Sequence, residues 1–204
     1  MSHRIPLPPP DHAGDPVGTS RWLTAPNLLT LLRMLLVPVL AVLLLADGGH
    51  DPTLRVWATI VFVVAALTDL ADGELARRSG TVTTVGKIAD PIADKAITGV
   101  ALIGLSWLGD LPWWVTVVIL AREILVTVLR FWVIRHGVIP ASRGGKAKTV
   151  AQIIAISLYL APLPDGAWPI RVLAMGIAVL LTVVTGFDYA VRAWRLRQRG
   201  RVAS

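Results

Sequence analysis

The chain has 204 residues, 54% of them hydrophobic, and a formal net charge of +7. Its mean hydropathy of +0.66 is too high for a soluble domain of this size and predicts a membrane protein. The absence of cysteine excludes disulfides and thiolate metal sites. Basic residues are scattered around apolar segments rather than gathered on one soluble domain, which argues against nucleic-acid binding.

Residues 1–20 are polar and rich in proline, and we expect a disordered cytoplasmic tail there. Six apolar segments follow, several close to the roughly 20 residues that cross a hydrocarbon core about 30 Å thick. A bilayer offers backbone groups no water, so such segments must be helices. The predicted helices cover residues 26–46, 54–78, 87–108, 112–135, 146–161 and 169–194. The predicted fold class is an all-α integral membrane protein, with six transmembrane helices at 21–196 and a basic cytoplasmic tail at 197–204.

Lysine and arginine gather at one set of helix ends, whereas the opposite ends hold only Arg55 and Arg171. Positive charge marks the cytoplasmic side of a membrane protein, and an even number of helices returns the chain to that side. Both termini are therefore predicted to be cytoplasmic, in a multi-pass protein of the plasma membrane. The basic run at 192–201 is expected to rest on anionic lipid headgroups.

Two pairs of aspartates lie at the cytoplasmic ends of the second and third predicted helices. Asp69 and Asp72 are three residues apart, and Asp90 and Asp94 are four apart, so each pair shares a helix face. The connection between these two helices is short, so we expect them to be antiparallel neighbours. The sequence therefore predicts that the two pairs can converge on one site.

Charge repulsion indicates what the four aspartates do. Two carboxylates about 4 Å apart repel by about 4 kcal/mol at an effective dielectric of about 20, so four of them need cationic partners. Oxygen ligands suit Mg²⁺ or Mn²⁺, and two such ions would balance the charge and could bridge a diphosphate. Gly73 and Ala76 continue the face of Asp69 and let a bulky group approach the backbone. Asp69 lies about 12 Å along the helix before Arg77, a depth at which a carboxylate indicates function.

The same stretch follows the pattern Asp-x2-Asp-Gly-x2-Ala-Arg-x8-Gly-x3-Asp-x3-Asp, which resembles the signature of the CDP-alcohol phosphatidyltransferases. The pattern is filled by Asp69, Asp72, Gly73, Ala76, Arg77, Gly86, Asp90 and Asp94. The resemblance extends over about residues 25–195. It implies a six-helix homodimer in membrane lipid that transfers a phosphatidyl group from CDP-diacylglycerol to a small alcohol.

The resemblance also implies roles for individual residues. Asp69, Asp72 and Asp90 bind the metal, and Asp94 binds it or acts as general base for the acceptor hydroxyl. The positions that match those holding the CDP group are Pro26, Asn27, Gly73, Ala76, Arg77 and Thr83. No Ser–His or Cys–His pair is visible, so direct displacement of CMP is favoured over a covalent intermediate.

Further short motifs resemble the branch of this family that makes phosphatidylglycerophosphate from glycerol 3-phosphate. They lie at 26–30, 33, 86–87, 90–91, 93–95, 122–123 and 145–152. An acceptor of this kind needs cations for its phosphate. The candidate acceptor-binding residues, from the fourth helix and from the start of the fifth, are Arg122, Arg130, Arg143, Lys146 and Lys148. Gln152 shares a face with Lys148, which favours a polar pocket there.

Several alternatives stay open at this point. Glu123, Thr127 and Arg130 share one helix face, so a structural salt bridge is possible there, and Asp188 can pair with Arg192. The same chemistry could use inositol phosphate, serine or phosphatidylglycerol as acceptor. A membrane prenyltransferase also holds Mg²⁺ and a diphosphate on aspartates. A small transporter gives no reason for four aspartates on one side, and no inverted repeat is visible.

Overall fold

The computed structural model describes residues 25–79, 84–133 and 143–202, which are helical with short turns and contain no strand. Only the backbone is described at 25–28, 30, 69–79, 84–94, 131, 133, 143 and 199–202. The six α-helices are α1 (Ala25–Leu45), α2 (Pro52–Ser79), α3 (Thr84–Trp107), α4 (Trp113–Val133), α5 (Arg143–Leu160) and α6 (Trp168–Val202). The short 3₁₀ segments are Ala46–Gly49 and Asp165–Ala167. Predictions for residues 1–20 lie outside these ranges.

Each predicted apolar segment corresponds to one of these helices, and most bounds agree to within three residues. The exception is α6, which continues to Val202 although its apolar part ends near Trp194. Arginine, leucine and glutamine favour helix, and in the basic stretch, which lacks proline, they outnumber the single unfavourable residue Gly200. The Arg197 guanidinium also lies 4.0 Å from the centroid of the Trp132 ring, a cation–π contact that ties this extension to the end of α4.

Two turns at the end of the molecule opposite the aspartates need left-handed backbone. Asp47, Gly48 and Gly49 follow α1 with φ angles of 52°, 63° and 75°, and Gly109 follows α3 with a φ of 81°. Glycine adopts this region without a steric penalty, and aspartate is one of the few other residues that tolerate it. These residues explain why the chain reverses sharply between neighbouring helices.

Two helical segments of the described chain are long and apolar enough to cross a membrane, Leu31–Gly49 and Asp165–Gln198. Shorter apolar helices cover Pro52–Thr68 and Lys95–Trp107. The 21 residues of α4 include three charged ones, Arg122, Glu123 and Arg130. Large apolar side chains such as Phe187, which is 73% exposed, point outward from the helices. This distribution suits a protein whose outer surface faces lipid.

Among the described side chains, the apolar core occupies the half of the molecule away from the aspartates. It is built by the C-terminal halves of α1, α3 and α5 and by the N-terminal halves of α2, α4 and α6. Its largest fully buried side chains include Leu40, Leu44, Phe62, Leu102, Leu105, Ile119, Ile156 and Leu160. α1 packs against α2 and α3, while α6 packs against α4 and α5. This core fixes the helices and leaves their other halves to carry polar groups.

Arg55 connects the loops at the far end of this core. Its guanidinium forms an ion pair with Asp110, Nε donates to the Gly49 carbonyl at 3.0 Å, and Nη1 donates to the Tyr159 carbonyl at 3.4 Å. Arg171 likewise donates to the Ala161 carbonyl at 2.9 Å. Both arginines at this end therefore hold backbone in place.

Candidate functional site

The four aspartates of the predicted metal site lie on uninterrupted helix. α2 runs through Asp69 and Asp72 to Ser79, and α3 runs from Thr84 through Asp90 and Asp94. The spacing within each pair is therefore helical, as the sequence predicts. The side chains lie outside the described part of the molecule, so the convergence of the pairs stays a prediction.

The same holds for the predicted CDP site. Its residues on α1 and α2 have a described backbone only, and Thr83 lies in the undescribed stretch 80–83. Among the side chains that the structure does describe, no three acidic or histidine groups gather closely enough to hold a metal ion.

A polar cavity lies between α3, α4 and α5, next to the aspartate-bearing end of α3. Its volume is about 50 Å³, and one water molecule needs about 10–15 Å³, so several waters fit. The polar side chains of its lining are Lys95, Thr98, Glu123, Lys148, Thr149 and Gln152. Lys95 directly follows Asp94 in the chain. The cavity therefore begins within one helical turn of the aspartate predicted to act as base.

Glu123 joins two cations from different helices at one carboxylate oxygen. Its Oε1 accepts hydrogen bonds from Nη1 of Arg122 at 3.0 Å and from Nζ of Lys148 at 2.5 Å. The three side chains are only 14% (Arg122), 18% (Glu123) and 7% (Lys148) exposed. A charge so shielded from water is tolerated when partners of opposite sign surround it, and here two cations face one carboxylate.

Lys95 is held at the edge of this group by α4. Its ammonium donates to the hydroxyl of Thr127 and lies 3.5 Å from the backbone carbonyl of Glu123. Thr127 in turn donates to that carbonyl at 2.8 Å. Lys95 has no role among the predictions made from the sequence. A lysine at the start of the apolar run Lys95–Trp107 is the signal that would have found it.

Polar contacts to α6 complete the cluster. Nη2 of Arg122 donates to Thr185 at 3.0 Å, and the amide of Gln152 donates to Thr182 at 2.9 Å. Thr182 donates to the backbone carbonyl of Ala178 at 2.6 Å, so this buried hydroxyl is satisfied as both donor and acceptor. The polar pocket predicted from Gln152 is therefore present.

The predicted acceptor-binding residues fall into different places. Lys148 lines the cavity, whereas Arg122 stands behind Glu123 and outside the lining. Arg130 and Lys146 are exposed, and the side chain of Arg143 is not described. The alternative of a salt bridge between Glu123 and Arg130 is not realised. Arg130 lies two helical turns, about 10.5 Å, further along α4, and the Glu123 carboxylate contacts Arg122 and Lys148 instead.

The pairing proposed on α6 is present: Nε of Arg192 lies 2.9 Å from Oδ2 of Asp188. Both side chains are about half exposed. An exposed pair of this kind contributes little to stability and stands apart from the cavity.

Comparison with known proteins adds an independent line of evidence. Residues 23–184 match the family model described as CDP-alcohol phosphatidyltransferase. The chain is 53% identical over 182 residues to a protein of Mycobacterium tuberculosis (strain ATCC 25618 / H37Rv) named "Probable phosphatidylglycerophosphate synthase". That match covers 89% of this chain and 87% of the relative.

Two further relatives differ in their names. The "CDP-diacylglycerol--glycerol-3-phosphate 3-phosphatidyltransferase" of Bacillus subtilis (strain 168) is 38% identical over 182 residues, covering 83% of this chain and 94% of its own. The "Cardiolipin synthase (CMP-forming)" of Streptomyces coelicolor is also 38% identical, over 160 residues, covering 78% of this chain and 74% of its own. Both matches include the helices that carry the aspartates and the polar cavity.

Proposed function

Because this chain belongs to the CDP-alcohol phosphatidyltransferase family, we propose that it transfers the phosphatidyl group of CDP-diacylglycerol to sn-glycerol 3-phosphate. The products are phosphatidylglycerophosphate and CMP, which makes the protein an enzyme of phospholipid biosynthesis. The names of the M. tuberculosis and B. subtilis relatives support this reaction. The observation that carries the proposal is the cation-lined cavity that starts directly after Asp94.

Charge in the cavity supports a phosphate-bearing acceptor. Among the described side chains, the cations Lys95, Arg122 and Lys148 gather around the single carboxylate of Glu123. A phosphate monoester carries about −1.5 to −2 at pH 7 and is attracted by such a cationic cluster. Zwitterionic serine has no net charge, and the diester phosphate of a phospholipid carries a single one. The attraction therefore favours glycerol 3-phosphate over either.

We assign two Mg²⁺ or Mn²⁺ ions to Asp69, Asp72, Asp90 and Asp94. Four carboxylates on two neighbouring helices would form the all-oxygen donor set that these ions prefer. When bound, the ions supply positive charge to the diphosphate and to the leaving CMP. Pro26, Asn27, Gly73, Ala76, Arg77 and Thr83 are assigned to the CDP group.

We assign separate parts of the reaction to individual residues of the chain. The acceptor's free primary hydroxyl attacks the phosphorus that carries diacylglycerol, an O–P bond forms, and the bond to CMP breaks. Asp94 accepts the proton of that hydroxyl as general base. Lys148, with Lys95 beside it, holds the acceptor's phosphate, and Arg130, Arg143 and Lys146 attract the anion toward the cavity.

The membrane arrangement that suits this chemistry has all six helices crossing the bilayer and both termini in the cytoplasm. The distribution of lysine and arginine supports it, because the aspartate end is also the basic end. The site would then face the cytoplasmic side of the plasma membrane, where glycerol 3-phosphate is soluble. We further propose a homodimer, as the family resemblance implies.

A second acceptor has a specific observation in its favour. The S. coelicolor relative named "Cardiolipin synthase (CMP-forming)" is as similar to this chain as the B. subtilis relative is, at 38% identity. Phosphatidylglycerol is therefore the alternative acceptor to test. The cationic cluster around Glu123 favours glycerol 3-phosphate over it, because a phosphate monoester carries more negative charge than a diester.

The test is CMP release by the purified protein in detergent with CDP-diacylglycerol and Mg²⁺. Glycerol 3-phosphate is compared with inositol phosphate, serine and phosphatidylglycerol, each with and without EDTA. Release with glycerol 3-phosphate alone, abolished by EDTA and restored by excess Mg²⁺, is the expected result. Release with another alcohol would keep the reaction class and overturn the acceptor. Release that persists in EDTA would overturn the metal assignment.

A further inference from the structure

We propose that Arg122 and Glu123 form a positioning pair for Lys148, and that Arg122 itself does not contact the acceptor. The pair would set the charge that Lys148 presents to the phosphate in the cavity. This inference rests on the proposed function, because the cavity is the one assigned there to the acceptor. It makes Arg122 a positioning residue rather than the phosphate ligand that its place in an apolar helix suggests.

The hydrogen bonds of Arg122 to described residues go to Glu123 and to α6 rather than into the cavity. Lys95, Glu123 and Lys148 line the cavity, and Arg122 does not. Its Nη1 donates to Glu123 and its Nη2 to Thr185 on α6, both at 3.0 Å. Its Nε is buried without a hydrogen-bond partner among the residues described. Among the described residues, the guanidinium thus reaches the acceptor's surroundings through the carboxylate of Glu123.

Gly186 on α6 holds Arg122 in this orientation. A Cβ atom built at position 186 would lie 2.9 Å from Cγ and 3.3 Å from Nε of Arg122. The arginine side chain therefore crosses α6 in direct contact with its backbone, where only glycine leaves room. Because the contact is with the stem of Arg122, the guanidinium has little freedom to swing into the cavity.

The Arg122–Glu123 pair affects how strongly the cavity can bind the phosphate of the acceptor. Glu123 at the wall of the cavity holds Lys148 in place by a hydrogen bond, but its negative charge also repels a phosphate and so weakens acceptor binding. Arg122 offsets that negative charge, so that Lys148 is held without the full repulsion. Removing one member of a buried ion pair leaves a costly uncompensated charge, whereas removing both is often tolerated. A direct phosphate ligand would not behave in this way.

A double-mutant cycle separates the two roles. We measure KM for glycerol 3-phosphate and for CDP-diacylglycerol in Arg122→Gln, Glu123→Gln and the double variant. Arg122→Gln should raise the acceptor KM about tenfold, because Glu123 is left opposite the phosphate. Glu123→Gln should raise the acceptor KM only a few-fold. Lys148 loses an anchor, but no carboxylate remains at position 123 to repel the phosphate. The double variant should match Glu123→Gln.

The same double-mutant cycle can also overturn the proposal. If Arg122 bound the phosphate directly, its loss would raise the acceptor KM as much in the Glu123→Gln background as in the wild type. An Arg122→Gln variant with a normal acceptor KM would also overturn it. The KM for CDP-diacylglycerol should stay within about twofold throughout, which a general loss of structure would not allow.

Two further variants distinguish loss of the Arg122–Glu123 pair from a general loss of structure. Arg171→Gln removes another partly buried arginine at the opposite end of the molecule and should not shift the acceptor KM relative to the CDP-diacylglycerol KM. If Arg122→Gln does not fold, Gly186→Ala disturbs the same pair with every charge in place. If the wild type proves to use another acceptor, the proposed function fails, and the cycle measured with that acceptor still tests the pair.

Discussion

Gly186 of α6 approaches Arg122 of α4 so closely that a single methyl group at position 186 would stand 2.9 Å from the arginine stem. We therefore expect Gly186→Ala to push Arg122 out of line with Glu123. The acceptor KM should rise about three- to tenfold, with little change in the KM for CDP-diacylglycerol. Steady-state CMP release at varied glycerol 3-phosphate measures this.

The matched control is Gly176→Ala, one glycine earlier on the same helix. A Cβ atom there meets nothing within 4 Å, so this variant adds helix propensity without a clash. It should leave both KM values unchanged. The rise in Gly186→Ala should also disappear in the Arg122→Gln/Glu123→Gln background. A rise that persists there would show that the methyl group acts on some other part of the site.

The fold could largely be predicted from the sequence because hydropathy controls it. Each apolar run became one helix, and the glycines at 48, 49 and 109 fall in turns. The end of α6 was predicted poorly, since helix does not stop where hydrophobicity does. Arg197 finds Trp132 on α4, and a contact between helices of this kind leaves no periodic trace in the sequence.

The candidate site, like the fold, could be predicted from the sequence only in part. Asp69, Asp72, Asp90 and Asp94 are predicted from spacing alone, because each pair lies within one helix. The cluster around Glu123 depends on how α3, α4, α5 and α6 pack, so Gly186 carries no local signal of its role. From the sequence, Arg122 and Lys148 are both predicted to bind the phosphate of the acceptor. Only the packing separates the one that lines the cavity from the one that stands behind it.

Asp94→Asn tests the assignment of the general base. The amide keeps the size of the side chain but cannot accept the proton of the acceptor hydroxyl at neutral pH. We expect turnover to fall by at least about 10²-fold, while CDP-diacylglycerol binds within a few-fold of the wild-type affinity. CMP release and direct binding of CDP-diacylglycerol give the two readouts. Turnover near the wild-type rate would remove Asp94 from the role of base.

Asp110→Asn should lower stability without affecting catalysis. Asp110 pairs with Arg55, which also donates to carbonyls in two other segments of the chain. The aspartate is 35% exposed, so solvent screens the pair, and we expect a loss of about 1–2 kcal/mol. Thermal unfolding in detergent should shift down by about 2–8 °C. Both KM values should stay unchanged below that transition, and a changed acceptor KM would contradict a purely structural role.

Gly104→Ala should destabilise the contact between α1 and α3, on which the position of Asp90 and Asp94 depends. A Cβ atom at 104 would lie 2.5 Å from Cδ2 of Leu44, a fully buried side chain, so a helix or the leucine must move. Overpacking of this kind costs about 1–3 kcal/mol. Thermal unfolding should show this loss.

Gly99→Ala, one and a half turns earlier on α3, is the matched control for this prediction. Its added Cβ would meet its nearest neighbour, Leu120, at 3.8 Å, an ordinary contact. Gly99→Ala should therefore be neutral or slightly stabilising, because alanine favours helix. Replacing Leu44 by a smaller residue should recover part of the stability lost in Gly104→Ala. Equal melting temperatures for Gly104→Ala and Gly99→Ala would mean that α1 and α3 do not pack this closely.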